Sequence, residues 1–162
     1  MRVSVVWFAP RGVRTLLVIL LAGCPEDETE PPPPAAVFAS DWASRYREVR
    51  NCRSSPDHEL HFIRILADDL AHDPYLARTD PFPDRSVVLK AEHDDQECTE
   101  LVAITAMRRE ARFDAASGDW HWQRAKADGT VVEDGKLQEC SSCHSDCGVP
   151  PDGFDWTCAV VP

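Results

Sequence analysis

Alternating apolar and polar positions dominate the middle of the chain and predict β-strands. In residues 60–67, Phe62, Arg64 and Leu66 share one face of the predicted strand, because successive side chains of a strand point to opposite sides. Comparable strand-forming segments occupy residues 86–92, 101–109 and 120–124, although Ala and Met leave a helix possible at 101–109. Turn-forming residues lie between or after these segments, at residues 80–84, 117–119 and 128–129.

One short helix is predicted ahead of the strands, over residues 41–49. Asp41 stands at its N-cap position. The apolar residues Trp42, Tyr46 and Val49 follow at spacings of four and three, as on one face of a helix. Strands joined by short loops, with few helices, predict an α+β fold that is mainly an antiparallel β-sheet with short helices.

The N-terminal pattern is typical of an exported lipoprotein. Three arginines precede an apolar run at residues 16–22, which is too short to span a bilayer as a helix. The residues from Leu21 to Cys24, Leu-Ala-Gly-Cys, resemble the bacterial lipobox. We therefore expect residues 1–23 to be a lipoprotein signal peptide and Cys24 to be lipidated. The mature protein would then be extracytoplasmic and anchored to a bacterial membrane through its lipid.

An acidic, proline-rich stretch follows the lipobox at residues 24–37 and predicts an extended tether. The folded domain is then expected over residues 38–162. The whole chain has a net charge of -11, and the mature chain would carry 14 Lys and Arg against 28 Asp and Glu, a charge of -14. This acidity argues against a nucleic-acid partner, because phosphate binding requires a surplus of basic residues.

The candidate chemistry lies in a C-x-x-C-H motif formed by Cys140, Cys143 and His144. In c-type cytochromes the two thiols bond to the haem vinyl groups, and the adjacent histidine binds the iron. C-type haem is attached outside the cytoplasm, which agrees with the predicted export. The motif therefore predicts one covalent haem c, with His144 as the iron ligand.

Three alternatives to haem are open for this motif. Cys140 and Cys143 could form a redox disulfide. The two cysteines could instead join His144 and Cys147 in a zinc site, since thiolates and imidazole suit zinc. Cys140, Cys143 and Cys147 could also all be structural disulfide partners, in a haem-free, disulfide-stapled extracytoplasmic binding lipoprotein.

The order of several short segments resembles the cytochrome P-460 family, small β-rich c-type cytochromes that include the cytochromes c′-beta. The resemblance covers roughly residues 42–156. The segments that carry it are residues 61–66, Tyr75, residues 81–84 and 86–90, Met107, residues 119–120 and 135–137, the C-x-x-C-H motif and residues 152–154.

This resemblance implies a five-coordinate haem with an open distal side, in a homodimer. The type enzyme oxidises hydroxylamine and handles nitric oxide, so a small nitrogen-containing ligand and an external redox partner are implied. Its porphyrin is cross-linked to a lysine, and Lys90 is the matching position. Arg64 matches an arginine of the distal pocket, and His144 matches the proximal ligand. The resemblance thus implies Lys90 and Arg64 as catalytic residues.

The seven cysteines divide among three kinds of chemistry. Cys24 is assigned to lipid, and Cys140 and Cys143 to haem. The remaining four could form two disulfides in any of three pairings, and they are Cys52, Cys98, Cys147 and Cys158.

A sixth iron ligand would indicate an electron-transfer cytochrome instead of an open haem. Met107, the only methionine after the signal peptide, is the nearest candidate. Its place in an apolar strand favours a role in the core. Trp120 and Trp122 share a strand face and are expected to pack in the core or a dimer contact rather than against the haem.

Overall fold

The computed structural model describes residues 31–55, 62–149 and 153–158, and a six-stranded antiparallel sheet is its main element. The strands follow one another across the sheet in chain order, each antiparallel to the next. Their bounds are β1 Arg47–Ser54, β2 Phe62–Ala67, β3 Val87–His93, β4 Leu101–Arg109, β5 Trp120–Lys126 and β6 Val131–Gly135. The predicted α+β fold, mainly antiparallel sheet, is confirmed.

The described helices are short. They are α1 Trp42–Arg45, α2 His72–Ala77, α3 Gln138–Ser145 and a 3-10 turn at Ala115–Ser117. The helix predicted over residues 41–49 is wrong beyond Arg45. The Asp41 side chain makes no capping hydrogen bond, and Tyr46 has extended backbone angles. The chain then enters β1, which pairs with β2, so tertiary hydrogen bonding overrides the helical spacing.

Strand pairing sets which side chains share a face of the sheet. Ile65, Lys90, Thr105 and Arg124 are paired neighbours across four strands, so they form one row on one face. We call this the cavity face. The residues that alternate with them along each strand point to the other side, which we call the closed face.

The closed face is covered by the segment that precedes β1. Val37 and Phe38 are buried there, and Trp42 and Tyr46 pack beside them. The buried residues of this cluster, besides Val37 and Phe38, are Leu66, Val87, Leu89, Ala91, Ile104, Ala106, Ala125 and Val131. Gln123 provides a hydrogen-bond acceptor for the backbone of this segment, because its Oε1 accepts a hydrogen bond from the Val37 N–H at 2.7 Å.

A second cluster occupies part of the cavity face. It is built around aromatic side chains from β5, α2 and the loop before β3, with Phe82 edge-on to Trp120 at 5.4 Å between ring centroids. Its buried members are Ala67, Ala71, Tyr75, Phe82, Val88, Met107, Trp120 and Trp122. This cluster supports α3 and the C-terminal segment, which contain the predicted haem residues.

The predicted signal peptide, residues 1–23, and the lipidation site Cys24 lie outside the described residues. Within the described ranges, no helix is long and apolar enough to cross a membrane.

Candidate cofactor site

A cavity of about 590 Å³ lies on the cavity face, a size typical of ligand-binding pockets. Its floor is made by strands β2 to β5, and its lining includes α3 residues of the C-x-x-C-H motif. The polar side chains that line it include Arg50, Lys90, Glu92, Thr105 and Arg124. The sheet therefore brings strand residues and the motif to one cavity.

The two motif cysteines are free thiols that line this cavity from α3. Cys143 is exposed and Cys140 is half-buried. Burial raises the pKa of Cys140, whereas the positive charges of Arg124 and Lys90 lower it, and the net effect is a raised pKa. Cys140 is therefore a protonated thiol at neutral pH.

His144 also lines the cavity, and its ring is oriented by a backbone carbonyl. Nδ1 lies 2.6 Å from the carbonyl oxygen of Trp156, so this nitrogen carries the proton and donates it. The Trp122 ring meets the imidazole edge-on at 4.7 Å between centroids. Burial lowers the pKa of His144. The neutral ring therefore keeps Nε2 as a free electron-pair donor, the arrangement usual for a histidine that binds a metal.

The C-terminal segment, residues 153–158, is held in place at several points. These contacts fix the position of the Trp156 carbonyl that orients His144. The disulfide between Cys147 and Cys158 joins it to the end of α3. Asp155 accepts a hydrogen bond from the Phe82 N–H at 2.9 Å and forms an ion pair with Arg109 at 2.9 Å. The segment is thus held from two sides.

Gly118 gives the Trp156 indole room to pack. Gly118 has a left-handed φ of 64°, and a Cβ there would lie 2.3 Å from Trp156 Nε1. Asp155 and Trp156 themselves have φ values of 41° and 70°. Such angles in residues other than glycine cost about 1–3 kcal/mol each and persist only where the surroundings enforce them. The turn that presents the Trp156 carbonyl is therefore a constrained one.

The other four cysteines form two disulfides, as predicted. The structure selects the pairing of Cys52 with Cys98 and of Cys147 with Cys158. The zinc alternative loses a ligand, because the sulfur of Cys147 is already bonded and cannot act as a thiolate.

Lys90 lies in the cavity as part of a buried ion pair. Its Nζ is 2.9 Å from Glu92 Oε1, and the two side chains are 13% and 12% exposed. The Thr105 hydroxyl donates to the same oxygen at 2.6 Å. Burial lowers the pKa of Lys90, and the charge of Glu92 partly opposes that shift. Sequence reasoning missed Glu92, although its spacing of two from Lys90 on a strand placed it on the same face.

Arg64 does not reach the cavity, which departs from its expected place in a distal pocket. It pairs with Ala91, a residue of the closed face, and its Nε donates to Glu48 at 2.6 Å. Arg50 is the arginine of this region that lines the cavity, because it pairs with Ile65 on the cavity face. Arg50 was not predicted as a site residue, because strand β1 was not predicted from the sequence.

Trp120, Trp122 and Met107 are buried in the aromatic cluster, as their predicted core roles require. Trp122 and Met107 also line the cavity. Trp122 also contacts His144, with 4.7 Å between the ring centroids.

The residues of this cavity fit a c-type haem. Two free thiols at the right spacing, one neutral histidine with Nε2 available, and an apolar floor from Ile63, Ile65 and Val88 line the same space. Thioether attachment and nitrogen ligation need that donor set.

Comparison with known proteins gives one family match. The family model described as Cytochrome P460 matches residues 40–148, which include all six strands and the whole C-x-x-C-H motif. No curated protein matches the chain.

Proposed function

The chain belongs to the cytochrome P460 family, and from this membership we propose that it is a membrane-anchored, mono-haem c-type cytochrome acting on hydroxylamine or nitric oxide. Family membership implies a haem cofactor. The observation that supports one covalent haem c is that Cys140, Cys143 and His144 line the same cavity, with both thiols free. Cys140 and Cys143 would form the thioethers, and His144 Nε2 would bind the iron.

The proposed chemistry needs both a redox centre and a proton acceptor. Haem would supply an iron that takes electrons from a small nitrogen-containing molecule for delivery to an external redox partner. Glu92 is the candidate proton acceptor, because its carboxylate lines the cavity. Lys90 and Thr105 fix its Oε1 by hydrogen bonds. Lys90 also provides a positive charge close to the site, and its cross-linking to haem remains an implication of the family resemblance.

Two disulfides support an extracytoplasmic location, because such bonds persist in oxidising compartments. Lipidation of Cys24 would hold the protein at a bacterial membrane, and a homodimer is the assembly implied by the family. The anchor is tested by Cys24→Ser. We expect this variant to leave the membrane fraction, and its retention there would contradict the proposal.

The function is tested by the absorption spectrum of the protein expressed with export to the periplasm and then reduced. We expect a covalently bound haem with a Soret band that shifts on addition of nitric oxide. Absence of any haem band would refute haem binding.

Electron transfer through a six-coordinate haem is the second candidate, because the Met107 thioether lines the cavity. Under this alternative, nitric oxide leaves the wild-type spectrum unchanged, and Met107→Leu opens the iron to it. Under the main proposal both proteins respond equally. Met107→Leu nearly preserves volume, so the core is little disturbed.

A further inference from the structure

The β1 side of the cavity contains a buried cation, Arg50, and two of its donor atoms have no acceptor among the described residues. Arg50 is only 8% exposed, and its side chain lines the cavity. Among the described residues, none accepts a hydrogen bond from its Nε or Nη2. A buried charged donor without a partner is strongly unfavourable. A bound molecule could supply the acceptor that no described residue provides.

Tyr75 adds a second donor to the same part of the cavity. Its side chain is 2% exposed and lines the cavity, and its hydroxyl has no hydrogen-bond partner in the described part of the chain. The guanidinium of Arg78 lies 5.2 Å from the centre of the Tyr75 ring and restrains it. The Tyr75 hydroxyl and Nε and Nη2 of Arg50 thus have no hydrogen-bond partner of normal geometry in the described part of the chain, although Arg50 lies close enough to act on the hydroxyl.

The charge around Tyr75 is positive although the protein is acidic overall. Burial raises the pKa of Tyr75, and the positive charges of Arg50, Arg78 and Arg53 lower it. Among the described residues, the charges that act most on this hydroxyl are therefore all cationic. Such a potential, together with donors that lack a partner of normal geometry, attracts an anion.

We propose that Arg50 and Tyr75 bind an anionic oxygen group within the cavity, either a carboxylate or a small oxyanion. A guanidinium presents parallel N–H donors that match two oxygens of such a group, and the tyrosine hydroxyl adds a third hydrogen bond. Two sources share this chemistry, a propionate of the haem and a free oxyanion such as nitrite. The inference rests on the proposed function, because it places haem in the same cavity.

The experiment compares Arg50→Gln and Tyr75→Phe with Arg47→Gln in the haem-loaded protein. Arg47 is the matched control, since it is an arginine of the same strand, β1, whose side chain is 48% exposed and pairs with Asp69 outside the cavity lining. Two quantities are measured, the reduction potential of the haem and the dissociation constant of nitrite from a Soret titration.

If a propionate is the anion, Arg50→Gln lowers the reduction potential, because a positive charge near the haem is lost. Tyr75→Phe lowers it less, through a lost hydrogen bond without any change of charge. Nitrite affinity then stays within about twofold of wild type. If a free oxyanion is bound, Arg50→Gln raises the nitrite dissociation constant about tenfold or more.

Wild-type potential and wild-type nitrite affinity in both variants would overturn the anion site. Should Arg50→Gln fail to accumulate, Tyr75→Phe and Arg50→Lys still decide the question. Arg50→Lys keeps the charge and loses the paired donors, so it should weaken nitrite binding or shift the potential. Failure of the proposed function is recognised separately, by a wild-type protein without covalent haem.

Discussion

The two faces of the sheet are made from alternate residues of the same strands, yet the chain covers them to different extents. On the closed face, Leu89 and Ile104 are buried by the chain itself, under Val37 and Phe38. On the cavity face, the chain leaves about 590 Å³ among its side chains. The closed face is thus filled by the chain itself, whereas the cavity face is packed only in part and has room for a ligand.

The charged residues of the two faces differ in the same way. Arg64 pairs with Glu48 on the closed side, where both side chains are more than a third exposed. Lys90 pairs with Glu92 in the cavity, where both are mostly buried. An exposed ion pair contributes little, whereas a buried one is costly to form and costly to break. Buried charge lining a cavity is therefore the better sign of function.

The largest effect expected from this difference is loss of the cofactor from the cavity side. If Cys140 and Cys143 attach haem as proposed, the double variant Cys140→Ala/Cys143→Ala should carry no covalent haem, because neither thioether bond can form. Haem staining after denaturing electrophoresis measures this directly. Ser141→Ala/Ser142→Ala is the control, since it alters the two intervening residues of α3 and should stay fully loaded. Covalent haem in the cysteine variant would show that the motif is not the attachment site.

Much of the fold could be predicted from the sequence, because alternation is a local signal. The strand predicted over residues 101–109 is found at Leu101–Arg109, and that over 86–92 at Val87–His93. Strand β1 was missed because its pattern is weak, with Arg50 its only fully buried residue. Helix α3 was missed for the same reason, since none of its residues is fully buried.

The candidate site was only partly predictable, because a face of a sheet depends on register between strands. The motif residues are local in sequence, and the cavity contains all three. Lys90 and Arg64 looked equivalent, each a charge in an apolar strand. In the sheet, Lys90 pairs with Ile65 on the cavity face, whereas Arg64 pairs with Ala91 on the closed face. The two side chains therefore lie on opposite faces. No local pattern contains that information.

Paired isoleucine variants test whether packing is concentrated on the closed face. In the Cys140→Ala/Cys143→Ala background, Ile104→Ala should lower the free energy of unfolding by about 2–5 kcal/mol, because it leaves a void in a filled core. Ile65→Ala, which truncates a half-buried side chain at the cavity, should cost less than half as much. Urea denaturation measures both. Equal losses would mean that the two faces are packed alike.

Paired glutamate variants compare the two ion pairs. Glu92→Gln should lower the free energy of unfolding by about 2–3 kcal/mol, because it leaves the buried Lys90 ammonium without its counter-charge. Glu48→Gln should cost about 0–1 kcal/mol, because its pair with Arg64 is partly solvated. Urea denaturation of both variants measures the two losses in free energy of unfolding. A larger loss for Glu48→Gln than for Glu92→Gln would contradict the proposed difference between the exposed and the buried ion pair.

The smallest expected effect is on the pKa values of the two tyrosines, Tyr46 beside the closed face and Tyr75 beside the cavity face. Burial raises the pKa of Tyr46 and of Tyr75, but only at Tyr75 does Arg50 lower it. Arg50→Gln should therefore raise the pKa of Tyr75 further and leave that of Tyr46 unchanged. Each raised pKa means that stability is complete below about pH 10 and falls as the pH rises through the folded value. Ultraviolet titration of tyrosinate can follow both, since the chain has only two tyrosines. An unchanged Tyr75 would show that Arg50 does not act on this hydroxyl.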